Sequence, residues 1–365
     1  MPVLRELSLQ LYHEDEDVIR LLPGAFTGSC PLLTSLTLAN CFPQWDTHLF
    51  SSPLTHLTLA THWIDEDYDP LPTTAEFRAI LAALPTLEEL VLTNFYPKTP
   101  ADGEQLNPLT LSNRFRRLTV DISCGSVYED MNSNFWGSFI FPSTAAIYFE
   151  INLDDLESWD AEDGWHFLDP FTQLHDSGSD PQELYLSLDH MTMSYAENPL
   201  FSTRLCGLPI PSPSSRHVWA ATELPLHLHR LRLAHLSSIR FTSAIQGHYT
   251  APDAWVLAFS VATSIQRVTL TLRHVIPLLD ALSATRPDGG MSLFPQMRTL
   301  IINSDTDGDE GKNGLELDMS LIDLVDIREG VGAPLQEIMV PEAISSWHIW
   351  THIGEKATVT FYKYT

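Results

Sequence analysis

The sequence predicts an α/β solenoid, in which short parallel strands stack into one concave sheet and irregular helices and loops return on the convex side. Three observations predict it: one phrase recurs along the chain, its apolar residues alternate, and helix-capable segments fall between its copies. A recurring phrase is the signature of repeat architecture, because units that cannot shelter a core singly can do so when stacked.

The phrase often opens with proline, continues with a hydrophobic and two polar residues, and closes apolar-x-apolar. Its closing triplets are Leu7-Ser8-Leu9, Leu36-Thr37-Leu38, Leu57-Thr58-Leu59, Leu90-Val91-Leu92 and Leu118-Thr119-Val120. They continue as Leu184-Tyr185-Leu186, Leu231-Arg232-Leu233, Val268-Thr269-Leu270, Leu300-Ile301-Ile302 and Ile338-Met339-Val340, with weaker copies at Ile147-Tyr148-Phe149 and Val359-Thr360-Phe361. Copies begin about 32 residues apart on average, giving about 10–12 irregular repeats over residues 1–365 as one domain. The widest gap holds the Pro/Ser-rich run Leu208–Ser215, so residues 204–222 are expected to form a surface insertion.

Side chains alternate across a strand, so the two closing apolar residues share one face and the residue between them faces the other way. Burying each aliphatic side chain contributes roughly 1.5–3 kcal/mol. The intervening residues are mostly polar or β-branched (Ser8, Thr37, Thr58, Thr119, Arg232, Thr269), which predicts a sheet wet on one face. A doubly wound nucleotide-binding fold, with both faces covered, would show continuous aliphatic runs instead. The clearest return helix is Thr73–Leu84, where the threonines offer an N-cap and Phe77, Ile80, Leu81 and Leu84 share one stripe. Asp253–Phe259, Ile276–Leu282 and Leu321–Ile327 are shorter segments of the same kind.

Against 20 Lys+Arg stand 47 Asp+Glu, a formal net charge of −27, which disfavours nucleic acid and anionic membrane as partners. Cys30, Cys41, Cys124 and Cys206 form no C-x-x-C pair, and the first residues carry no basic-then-apolar leader. The longest strongly apolar stretch, near Trp255–Ala262, is too short to span a bilayer. A cytoplasmic or nuclear protein is expected.

These phrases resemble leucine-rich-repeat proteins, and their irregular length is similar to the repeat region of fungal F-box proteins. Asn40 and Asn94 match the asparagine that often follows the strand in that family. The resemblance implies a protein-binding horseshoe. It also implies, for the F-box group, a substrate-recognition role in an SCF-type ubiquitin ligase through a Skp1-type adaptor. The first repeat begins at Val3 and leaves no room for an F-box in this chain, so the adaptor reading requires one encoded upstream.

Candidate chemistry is sparse. Asp305, Asp307, Asp309 and Glu316 follow the spacing of a calcium-binding loop, but position six is Glu310 with Gly311 one place late, and the run follows a strand. It reads first as a solvated acidic loop. His348 and His352 have an i, i+4 spacing that zinc can use, without an evident third ligand. No nucleophile elbow, P-loop or dinucleotide fingerprint occurs, so a non-enzymatic protein without cofactor is expected, with an unrecognised hydrolase as the remote alternative. The expected contact residues, facing outward from the strands, are Glu89, Arg117, Tyr185, Arg230, Arg232 and Arg267, a largely basic and aromatic set on an acidic protein.

Overall fold

The computed structural model describes residues 4–11, 19–20, 30–46, 48–51, 53–61, 71–95, 97–98, 107–122, 138–142, 144–151, 181–188, 190–194, 215–220, 228, 231–303 and 314–363. In chain order the strands are β1 (Glu6–Gln10), β2 (Ile19–Arg20), β3 (Ser35–Ala39), β4 (Cys41–Phe42), β5 (His56–Ala60), β6 (Glu89–Thr93), β7 (Leu109–Thr110), β8 (Arg117–Ile122) and β9 (Phe139–Ile140). They continue as β10 (Ala146–Ile151), β11 (Glu183–Leu186), β12 (His190–Ser194), β13 (Ser215–Ala220), β14 (Ser238–Phe241), β15 (Arg267–Thr271), β16 (Thr299–Asn303), β17 (Glu337–Pro341) and β18 (Thr358–Tyr362).

The chain falls into two compact units, Met1–Gly178 with Pro211–Ala221, and Ser179–Ile210 with Thr222–Thr365. In the first, the main sheet runs β1-β3-β5-β6-β8-β10-β13, each neighbouring pair parallel. In the second it runs β12-β11-β14-β15-β16-β17-β18, parallel except for the β11–β12 hairpin. The protein is thus α/β with largely parallel sheets, as the phrase implied.

Register explains why. Leu7, Leu36, Leu57, Leu90 and Leu118 sit opposite one another across five consecutive strands. Ile239, Val268, Leu300 and Ile338 do the same in the second unit. Leu57, Leu90 and Leu300 are all essentially inaccessible. Just before several of the parallel strands, a single carbonyl accepts two amides of the next one. The Arg5 oxygen takes the N–H groups of Thr34 and Ser35, that of Thr34 takes those of Thr55 and His56, and that of Gln266 takes those of Arg298 and Thr299. These shared acceptors satisfy the backbone where pairing starts and hold each unit in register with its neighbour. After the strand, Asn40 (φ 55°) and Asn94 (φ 48°) turn the chain in the left-handed region, which asparagine tolerates, and both are buried. Asn40 Nδ2 donates to the Leu11 carbonyl at 3.1 Å.

Return segments cover the aliphatic side. The helix Thr74–Ala82 is fixed by a capping box in which Thr73 Oγ1 accepts from the Glu76 amide at 3.2 Å and the Thr73 amide donates to Glu76 Oε2 at 2.8 Å. Its Phe77 joins a line of rings through Phe95 and Phe139. In the second unit the inward Phe241 meets Trp255 and Phe259 edge-on, so the helix Pro252–Phe259 lies on that side of the sheet. The segment read as Leu321–Ile327 belongs to a longer helix, Gly314–Gly330. Its Arg328 is fully buried and donates to the carbonyls of Leu282, Phe294 and Met297, and burial pushes its guanidinium down to about 10.

Three expectations need correction. Leu231-Arg232-Leu233 is not a strand: the amides of Leu231, Leu233 and Leu236 close tight local turns, and the strand is β14, eight residues on. Among the residues expected to form a surface insertion, Ser215–Ala220 form β13 and pair with β10. The outward face is also not uniformly wet, since Tyr185, Thr269 and Ile301 are buried.

Candidate functional site

The outward residues of each unit line up in rows. In the first unit, one row carries Glu6, Ser35, His56, Glu89 and Arg117. Glu89 Oε2 lies 3.9 Å from His56 Nε2 and 4.0 Å from Arg117 Nη1, a loose and solvent-accessible relay. Pairs of this kind contribute little to stability. Arg117 also lies 5.6 Å from the centroid of Tyr148, a cation–π contact between strands. Burial raises the Tyr148 hydroxyl above its ordinary pKa, and the Arg117 charge opposes that shift. Beside this row run Thr37, Thr58, Val91, Thr119 and Tyr148, all partly accessible.

The second unit repeats the theme with different side chains. Arg240 lies 5.2 Å from the centroid of Tyr185, its register partner, and the His190 ring packs 5.1 Å from the same tyrosine. Glu183, only 3% exposed, faces Arg267 across the small Ser238, with Oε1 and Nη1 3.8 Å apart. Farther along the same sheet, Tyr362 reaches back from β18 to donate to the Ile302 carbonyl at 2.5 Å and to Asn303 Oδ1 at 3.2 Å.

Of the contact residues predicted from sequence, Glu89 and Arg117 are brought together, and both Tyr185 and Arg267 lie on the outward side of the second unit. Arg230 lies outside the described residues. Arg232 is exposed but precedes the 3-10 turn Leu233–His235, so it belongs to no strand, and Arg240 holds the outward place instead. The signal for Arg240 was present: Leu236-Ser237-Ser238-Ile239-Arg240-Phe241 repeats the phrase, overlapping a more leucine-rich copy. Tyr148 and Glu183 hold outward places in their copies of the phrase equivalent to those of Tyr185 and Glu89, whereas His190 carried no pattern that set it apart.

Of the acidic-loop candidates, Asp305, Asp307 and Asp309 lie outside the described residues, while Glu316 is exposed in the first turn of its helix. His352 Nε2 lies 3.8 Å from Asp326 Oδ1, a carboxylate that Lys356 also contacts. Among the described residues no three ligand-type side chains gather as a metal site would require, and no helix is long and apolar enough to cross a membrane.

No family model and no curated protein matches the sequence. Among solved structures, the leucine-rich repeat-containing protein LegL7 from Legionella pneumophila is similar at 14% identity, covering 98% of this chain and 90% of that chain with a TM-score of 0.35.

Proposed function

We propose that this chain is a non-catalytic leucine-rich-repeat scaffold of horseshoe form that holds a partner protein along the outward faces of its strands. One observation carries the reading. On strands whose opposite face is a buried aliphatic seam, each unit carries an arginine–tyrosine pair on its outward side: Arg117 with the partly accessible Tyr148, and the partly accessible Arg240 over the buried Tyr185. Arginine and tyrosine, with tryptophan, are enriched at the energetic centres of protein interfaces, where a broad planar group and a fixed fork of donors lose little entropy on binding.

The test is affinity capture with quantitative mass spectrometry, comparing wild type with Arg117→Ala/Tyr148→Ala and with Arg240→Ala. Circular dichroism confirms that each variant is folded. Specific partners depleted at least about tenfold by a variant, the loss typical of an interface hot spot, support the proposal. Identical recovery with all three proteins places any binding surface elsewhere.

A further inference from the structure

A cavity of about 360 Å³ opens in the second unit where β11, β14, β15 and β16 begin. Glu183, Ser238, Arg267, Arg298, Thr299 and Gln336 are among its walls. We propose that this cavity binds a single carboxylate group, presented by an Asp or Glu side chain or by the C-terminus of the partner polypeptide; the inference rests on the scaffold reading above.

The charges favour a monoanion. Two arginines and one glutamate leave the walls one positive charge in excess, and the Glu183 carboxylate is already faced by Arg267. Arg298 is the surplus cation: it is exposed and has no ion-pair partner among the described residues. A guanidinium fork matches the two oxygens of a carboxylate, and the Ser238 and Thr299 hydroxyls add neutral donors. A phosphoryl group, with roughly −1.5 to −2 charges, would bring uncompensated charge against Glu183. The volume sits at the small end of ligand sites, enough for one residue of an extended chain.

The position is set by the fold. Arg298 and Gln336 each immediately precede a strand, and the backbone carbonyls of Gln266 and Arg298 are committed to the shared-acceptor ladder. The ladder therefore fixes their backbone where their side chains line the cavity.

The experiment titrates the full chain by calorimetry, at low salt, with N-acetylated Gly/Ser peptides. One is amidated and carries no carboxylate, one is amidated with a single internal Glu, one has a free C-terminus, and one is amidated with a phosphoserine. The expected result is binding of at least one carboxylate peptide about tenfold or more tightly than the amidated neutral peptide, with the stronger of the two naming the source. Arg298→Gln, which spares the Arg267–Glu183 pair, is expected to weaken that binding by about tenfold, while Arg232→Gln leaves it unchanged. The proposal is overturned by absence of carboxylate binding, by equal binding of the neutral peptide, by tighter binding of phosphoserine, or by an Arg298→Gln protein that binds like wild type. Partner capture that depends on Arg117 and Tyr148 but survives Arg298→Gln would remove this cavity from the account and leave the scaffold standing.

Discussion

The two units build the same ladder and dress it differently. In the first, every residue of the row from Thr37 to Tyr148 keeps some accessibility. In the second, three of the corresponding residues, Tyr185, Thr269 and Ile301, are 6%, 3% and 0% exposed, while Arg240, Met339 and Thr360 of the same row stay partly accessible. The backbone register is equivalent, so the difference lies in the side chains. Arg240 and His190 close over Tyr185, and Tyr362 reaches across to β16, whereas threonines in the first unit are too short to shield one another. The same contrast marks the charged pairs. Arg117 is half-exposed and Glu89 partly so, while Glu183 is nearly buried under a half-exposed Arg267. Whether a strand face of this kind is open or packed depends on the size of its outward residues.

The largest effects should show no contrast, because the aliphatic seam is common to both units. Leu59→Ala and Leu270→Ala, both at fully buried sites, are each expected to lose about 2–5 kcal/mol in chemical denaturation. A large difference between them would break the claim of equivalent cores.

Alkali should separate the units next. The buried ring line of the first unit, Phe77, Phe95 and Phe139, carries no titratable group, whereas the second includes Tyr249, which packs on Trp255 and whose hydroxyl burial pushes up to about 12. In the unfolded chain it ionises near 10. Below that pH its contribution is intact. Between about 10 and 12 the unfolded chain releases the proton first, so the Tyr249 contribution to stability falls with rising pH by on the order of 3 kcal/mol. The lowered Arg328 guanidinium acts with the opposite sign in the same range. Relative to wild type, Tyr249→Phe is expected to gain stability progressively as pH rises across that range in denaturation experiments, and an unchanged slope would contradict the assignment.

Charge deletion gives a smaller contrast. Arg267→Ala, which strips the nearly buried Glu183 of its arginine, is expected to cost about 1–3 kcal/mol. Arg117→Ala, at an exposed pair, should change stability by about 1 kcal/mol or less. Smallest are the outward aliphatics. Ile301→Thr should cost about 1–2 kcal/mol, and Val91→Thr should stay within about 0.5 kcal/mol, both read from melting or denaturant midpoints. Equal costs at the two sites would erase the distinction between packed and open faces.

The ladder was legible in sequence because its signal is local: three residues define each strand's faces, and Thr73 with Glu76 marks a helix start. The error at Leu231 arose where two copies of the phrase overlap. Leucine content favoured the first, but only the second leaves its backbone free of local turns to pair with its neighbours. Outward orientation was likewise legible for Glu89, Arg117, Tyr185 and Arg267, since it follows from parity. Their depth was not, because burial is set by side chains from other strands. His190 and Arg240 flank Tyr185, and Arg267 arrives from two strands away to meet Glu183. The antiparallel turn-back of β12 was hidden for the same reason, as nothing in Met191-Thr192-Met193 states the direction in which it will pair.

Everything functional here depends on strands with one buried face and one reachable face. The most direct measurement is thiol labelling of single-cysteine variants, in a background lacking the native cysteines, at neighbouring positions of one strand. Thr58→Cys should react with a maleimide at a rate approaching that of the unfolded protein, and Leu57→Cys should be protected until the protein unfolds. Equal, fast labelling at both positions would contradict the buried seam, and equal protection at both would contradict an open face.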